Sequence, residues 1–207
     1  ENQKLDIIRE MFAEPTDSKT IIFSSSKMKV KELAHTLKRM KLNVAAMHSD
    51  LEQAQREEVM LDFKNNKVSI LVATDIVARG IDIEDIGLVI NYDVPHDPED
   101  YIHRIGRTAR ASATGTGITF VSEQEQDKFQ RIETFIEREI EKLPIPERLG
   151  KGPKYDPAAC DRRGGRRNFH GRGPRKGSGS SGKPGGRYGR RQGSGKRPRE
   201  AGSGGGN

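Results

Sequence analysis

The sequence predicts an α/β domain built on a mostly parallel sheet with helices on both faces, followed by a basic tail that does not fold. Three observations carry this. Short, continuous apolar runs alternate with stretches whose apolar residues fall three and four apart, the mark of strands alternating with amphipathic helices. The strand runs are near-continuous Val, Ile and Leu rather than alternating, as a parallel sheet buried on both faces requires. The composition breaks near Gly150: residues 1–150 hold 21 Lys+Arg against 27 Asp+Glu, a balance of −6, whereas residues 151–207 hold 16 against 3, a balance of +13.

Taken in order, Leu5, Ile8 and Phe12 give residues 3–13 helical spacing, broken by Glu14-Pro15-Thr16-Asp17. Thr20-Ile21-Ile22-Phe23 reads as a buried strand ending in Ser24-Ser25-Ser26 and feeding a helix through Val30, Leu33, Ala34, Leu37 and Met40. Leu42 to Met47 repeats the strand signal up to His48-Ser49-Asp50. A helix is expected from about Gln53 to Asn65, with Val59 and Phe63 inward. Ser69 to Ala73 is the clearest strand, ending at Thr74-Asp75, and Gly87 to Tyr92 is the next, closing at Asp93-Val94-Pro95. Asp97-Pro98-Glu99-Asp100 supplies an N-cap acceptor, a proline suited to the first helical position and first-turn acids, so a short helix is expected from Pro98. Gly106 reads as its C′ residue, free to take positive φ and to hand Arg107 and Arg110 to a loop. A strand at Thr116 to Val121 follows. Phe129, Ile132, Ile136, Ile140 and Leu143 then mark a long helix stopped by Pro144 and Pro146.

Residues 1–150 suffice for one well-cored domain and not for two. Residues 151–207 hold 17 of the 23 glycines and almost no aliphatic side chains; they cannot offset their ordering entropy and are expected to be disordered. The single cysteine, Cys160, excludes an internal disulfide framework and a thiolate metal cluster, and suits a reducing compartment. No apolar run reaches membrane-spanning length. The chain opens on Glu1, so a fragment or a processed chain is expected, and a targeting segment is not excluded.

The conspicuous polar groups fall at the carboxyl ends of the strands, where α/β sheets bind ligands: Ser24 to Ser26, His48 to Asp50, Thr74 to Asp82, and Asp93. At the turn after Ala73, the Thr74 hydroxyl and free amides suit a phosphate, Gly80 permits close approach and Asp82 suits a ribose hydroxyl; equally, Asp75 caps a short helix that Gly80 closes. Arg56 either meets a phosphate or pairs with Glu52 or Asp50, and His48 alone reads as a satisfied structural histidine. In Tyr101 to Arg110, three arginines recur at a spacing of three. Guanidinium forks match phosphate oxygens two at a time, so Arg107 and Arg110 suit a polyphosphate clamp. The plain alternative is a solvated basic turn with Arg104 near the helix C-terminus, favourable to the dipole and otherwise idle.

Four stretches in register carry a resemblance. Thr20 to Lys27 resembles motif IV, Gln53-x-x-Arg56 motif IVa, Ala73-Thr74-Asp75-x-x-Ala78-Arg79-Gly80-x-Asp82 motif V, and His103 to Arg110 motif VI of the C-terminal RecA-like domain of DEAD-box RNA helicases. With the glycine-rich basic tail, the wording is closest to the bacterial RhlE-like group. The resemblance implies a RecA-like three-layer α-β-α sandwich over residues 1–150. It makes Arg107 and Arg110 the arginine fingers on the γ-phosphate of ATP and puts Gly80 and Asp82 at the nucleotide's sugar and phosphate end. Ser26, Lys27, Asp50, Gln53, Arg56 and Thr74 then face the RNA backbone, and Arg79 and His103 couple the two sites. The family's glycines are replaced here by Ser49 and Ala109.

No G-x-x-x-x-G-K-[ST] loop and no Asp-Glu-Ala-Asp box occurs in the sequence. The resemblance therefore implies half of an ATPase. It is expected to be a cytoplasmic monomer with no membrane contact, inactive alone, and partnered by RNA and by an N-terminal RecA-like domain of the same protein that holds Mg2+. Arg162-Arg163-Gly164-Gly165-Arg166-Arg167 and Gly185-Gly186-Arg187-Tyr188-Gly189-Arg190-Arg191 suit electrostatic anchoring to RNA with some stacking; the alternative is a solubilising linker. The rival for the whole chain is a non-catalytic RNA-binding or RNA-chaperone module.

Overall fold

The computed structural model describes residues 2–14, 18–75, 86–108 and 115–159. Among them the order is α1 (Asn2–Met11), β1 (Lys19–Phe23), α2 (Lys27–Arg39), β2 (Val44–Met47), α3 (Gln53–Lys64), β3 (Ile70–Ala73), β4 (Ile86–Asn91), α4 (Pro98–Ile105), β5 (Thr116–Thr119) and α5 (Gln126–Phe135), with 3-10 turns at Glu123–Glu125 and Glu147–Leu149. The five strands form one sheet in the order β2-β3-β1-β4-β5. Every pairing is parallel. Phe23 lies level with Ala73 and Asn91, and Met47 with Ala73, so the carboxyl ends of four strands make one edge.

Side chains of successive strand residues point to opposite faces, and here both faces are covered. Ile22, Ile70, Val72 and Ile90 meet Ile8 of α1 and Val30, Leu33 and Leu37 of α2. Ile21, Phe23, Leu71, Ala73 and Val89 meet Phe63 of α3 on the other side. Each fully buried large apolar side chain contributes roughly 1.5–3 kcal/mol. The single irregularity between β1 and β4 falls where Lys19 pairs with Ile86 but Thr20 with Leu88. Gly87 is the extra residue, and a Cβ there would stand 2.7 Å from Ser18 Cβ.

Four expectations need correction. The last helix does not run to Leu143: it ends at Phe135, and Glu137 takes φ 52°. Ile140 N then donates to the Glu133 carboxylate (2.8 Å), which folds Ile136 and Ile140 back over Phe129 and Ile132 and leaves Leu143 71% exposed. Asp97 stands at the N-cap of α4, but its side chain makes no cap bond. Gly106 has φ −60°, so the chain leaves α4 through further turns rather than through a left-handed residue. Finally, the packed chain extends past 150. Gln126 Nε2 donates to Lys154 O (2.8 Å) and Gln126 Oε1 accepts from Asp156 N (2.6 Å), while Tyr155 packs on Phe129 and donates to Glu133 (2.7 Å). Composition missed this because one aromatic at the root of a glycine-rich segment is enough to dock it. The tail from Cys160 onward lies outside the described residues. Among the described residues no helix is long and apolar enough to cross a membrane.

Candidate functional site

The carboxyl edge carries three polar assemblies, each made by a turn that the sheet order places next to another. At the end of β1, Ser24 Oγ and Ser25 N both donate to Asp93 Oδ2 (2.9 Å each), and Lys29 Nζ donates to Asp93 Oδ1 (2.7 Å). Burial pushes the Asp93 carboxyl up, but Lys29, the Ser25 amide and the Ser24 hydroxyl outweigh it and hold it at about 2. Ser26, the N-cap of α2, accepts from Lys29 N (3.3 Å).

The second assembly joins α2 to the turn after β2. Lys27 Nζ and Lys31 Nζ each donate to one oxygen of Asp50 (2.8 Å each), and these two bonds hold the Asp50 carboxyl at about 2. Arg56 does not pair with Glu52 or Asp50: its Nη2 donates to Ser49 O (3.2 Å), and its Nε is buried with no hydrogen-bond partner. His48 is 6% exposed, and its Nδ1 likewise has no partner, so it is not the satisfied histidine its sequence context implies. Burial, then the Lys31 charge, lower its pKa. Gln53 spends its amide on Glu57 Oε1 (2.8 Å). Half-buried Thr74 directly follows β3, the strand between β1 and β2, so it stands between the strand ends that lead to Lys27 and to Asp50.

The third assembly centres on Arg104. Asp100 and Arg104, four residues apart and so on one face of α4, are 9% and 3% exposed. The Arg104 fork donates through Nε and Nη2 to Asp75 (2.5 and 2.7 Å), and through Nη1 to Asn91 Oδ1 (3.0 Å) and Asp93 O (3.1 Å). Its guanidinium carbon also lies 5.1 Å from the centre of the Phe23 ring. Arg104 thus ties α4 to the ends of β3, β4 and β1, and the idle reading of it is wrong. The Asp75 carboxylate serves this arginine. Arg107 N donates to Arg104 O (3.1 Å), and buried Thr108 donates its hydroxyl to Ile86 O (2.8 Å). His103, on α4, is exposed, and Arg107, in the turn that follows it, is half-exposed.

The structure therefore brings Lys27 to Asp50 and Arg56 to Ser49, and holds His103 on α4 and Arg107 in the turn that follows it. Arg79, Gly80, Asp82 and Arg110 lie outside the described residues. Sequence reasoning missed Lys31 and Asn91 and undervalued Arg104; the i, i+4 spacing of Asp100 and Arg104 on a short helix was the available signal.

A family profile described as "Helicase conserved C-terminal domain" matches residues 3–112. The E. coli DEAD-box protein SrmB, solved bound to regulator of ribonuclease activity A, is 33% identical with a TM-score of 0.68, the match covering 75% of this chain and 89% of that one. The chain belongs to the helicase C-terminal domain family, on its DEAD-box branch. The ATP-dependent RNA helicase eIF4A of Neosartorya fischeri is 40% identical over 145 residues, 70% of this chain and 36% of the relative. A single-substitution variant of S. cerevisiae Dbp5, solved bound to RNA and ADP BeF3, is 32% identical with a TM-score of 0.65, covering 70% of this chain and 39% of that one. This DEAD-box domain thus spans about a third of the length of the curated relatives it matches. Its five-stranded parallel sheet is the RecA-like fold of that family.

Proposed function

We propose that this domain is the second motor half of an ATP-dependent RNA helicase, closing with an N-terminal RecA-like domain to couple ATP hydrolysis to local separation of RNA strands. The observation that carries the reading is the adjacency of Thr74 and Asp75. One follows β3 directly, among the residues assigned to RNA; the next is gripped by Arg104 of α4, the helix that bears His103 and leads into Arg107. Names of relatives support it: eIF4A as an ATP-dependent RNA helicase, and Dbp5 as a protein bound to RNA and ADP BeF3.

In this reading Lys27 and Arg56 bind backbone phosphate, Ser26, Gln53 and Thr74 read phosphate and 2′-OH with little base specificity, and Asp50 faces the strand through its pair with Lys27. The Arg104 anchor fixes α4, so Arg107, together with Arg110, presents a preorganised guanidinium to the γ-phosphate of ATP. Gly80 and Asp82 meet the sugar and phosphate end, and Arg79 and His103 couple the two ligands. Among the described residues no three His, Cys, Asp or Glu side chains group as a metal site. In this reading Mg2+ is held by the first domain. In the same reading the Arg/Gly tail supports a kinship with the RhlE-like group and adds RNA affinity, and the protein acts as a cytoplasmic monomer.

The test supplies the first domain, covalently or in trans, and measures RNA-stimulated ATPase. Arg107→Ala is expected to lower turnover by about 10³-fold or more while leaving RNA affinity in place, as for an arginine finger. Full turnover in that variant, or RNA-dependent phosphate release by this chain alone, would overturn the reading.

A further inference from the structure

We infer that Lys31 is a further RNA phosphate contact, and that Asp50 occupies, between Lys27 and Lys31, the place a backbone phosphate takes when the strand binds. The inference rests on the assignment of this edge to RNA and adds a residue and an exchange to it. Lys27 and Lys31 lie four apart on α2, so their stems rise side by side. Their ammonium groups meet the two oxygens of one carboxylate, one each, at 2.8 Å. A phosphodiester offers the same two-oxygen, singly charged acceptor.

Charge is left over in this arrangement. Two ammonium groups share one carboxylate, and Arg56, across the same turn, spends Nη2 on a neutral carbonyl at Ser49. The clamp opens to solvent: the Lys27, Lys31 and Asp50 side chains are 50%, 44% and 38% exposed. Ion pairs this wet are held weakly and exchange readily. Lys29, two residues along the same helix, points instead to Asp93, so the pairing with Asp50 is a selection by helical spacing rather than a general solvation of lysines. Asp50 then acts as an internal competitor, raising the local phosphate density needed to occupy the clamp.

Anisotropy of a labelled single-stranded oligoribonucleotide, titrated with the full 207-residue chain over a range of salt, tests this. The tail is common to all variants and cancels in their differences. Lys31→Gln is expected to reduce the slope of log affinity against log salt by about 0.7, one single-strand phosphate contact, and Lys38→Gln at the far end of α2 to leave it unchanged. Asp50→Asn is expected to tighten binding, and the gain to vanish when Lys31→Gln is added. An unchanged slope in Lys31→Gln alongside a reduced slope in Arg56→Gln overturns the clamp and leaves the RNA edge standing. Unchanged slopes in both overturn the edge as well. Weaker binding by Asp50→Asn overturns the exchange.

Discussion

Two carboxylate–cation contacts on the same sheet edge have nearly equal lengths and opposite roles. Asp50 meets Lys27 and Lys31 at 2.8 Å each, with all three side chains more than a third exposed. Asp75 meets Arg104 at 2.5 and 2.7 Å, with the arginine side chain 3% exposed and its remaining donor spent on Asn91 and the Asp93 carbonyl. Separation does not rank them; water does. In a wet pair the attraction is screened and the loss of one partner is repaired by solvent. In a buried pair the surviving charge is stranded. One half of the edge is therefore built to change partners and the other to keep them, which suits the proposed role of taking up RNA on one side while holding a guanidinium steady on the other.

The largest expected effect breaks the locked half. Arg104→Ala leaves the Asp75 carboxylate, 25% exposed, without its partner and strands two buried acceptors, and should cost about 2–4 kcal/mol of stability, read as a shift in the urea midpoint. Arg104→Lys should recover only part of this, because an ammonium cannot reach three acceptors in the plane of a fork. A loss near zero for Arg104→Ala would erase the distinction between the halves.

Asp93 sharpens the same comparison through pH. Its carboxyl is lowered from the ordinary 3.8 to about 2. A folded-state value below the unfolded one stabilises the protein above the unfolded value, and that contribution is lost as pH falls toward 2. It amounts to about 2 kcal/mol. Acid unfolding of Asp93→Asn should be flatter between about pH 4 and 2 than that of the parent. An unchanged acid limb would place Asp93 outside the locked half.

A smaller effect tests how far the fixed region reaches along the chain. Gln126 is 2% exposed and makes both hydrogen bonds that dock residues 154 and 156. Gln126→Ala should cost about 1–2 kcal/mol and admit protease cleavage just after Gly150. Cleavage equal to that of the parent would show that Tyr155 and the Gln3 contact to Lys151 hold the segment without Gln126.

The fold was legible because a two-sided parallel sheet writes its strands as continuous apolar runs: Ile21-Ile22-Phe23 and Ile70 to Ala73 are readable without any partner. The α2 face was readable for the same reason, since Val30, Leu33, Ala34 and Leu37 repeat at helical spacing and are all buried. What local pattern could not give was termination and pairing. Ile136, Ile140 and Leu143 keep helical spacing, yet a left-handed Glu137 and the Glu133 carboxylate end the helix early. Arg104 looked like any cation in a last turn. Its meaning depends on Asp75, Asn91 and Phe23, brought to it from three strands by the sheet order.

The smallest expected effect is the most discriminating. Lys27→Gln removes a cation that touches Asp50, as Arg104→Ala removes one that touches Asp75. The Asp50 carboxylate, however, keeps Lys31 and open solvent, so the urea midpoint should not move measurably. RNA affinity should fall in the same variant, and its salt slope should drop by about 0.7, because the charge that folding does not need is the charge a phosphate uses. A midpoint shift as large as that of Arg104→Ala would mean that Lys27 and Asp50 hold the fold together, and that the two halves differ in exposure without differing in purpose.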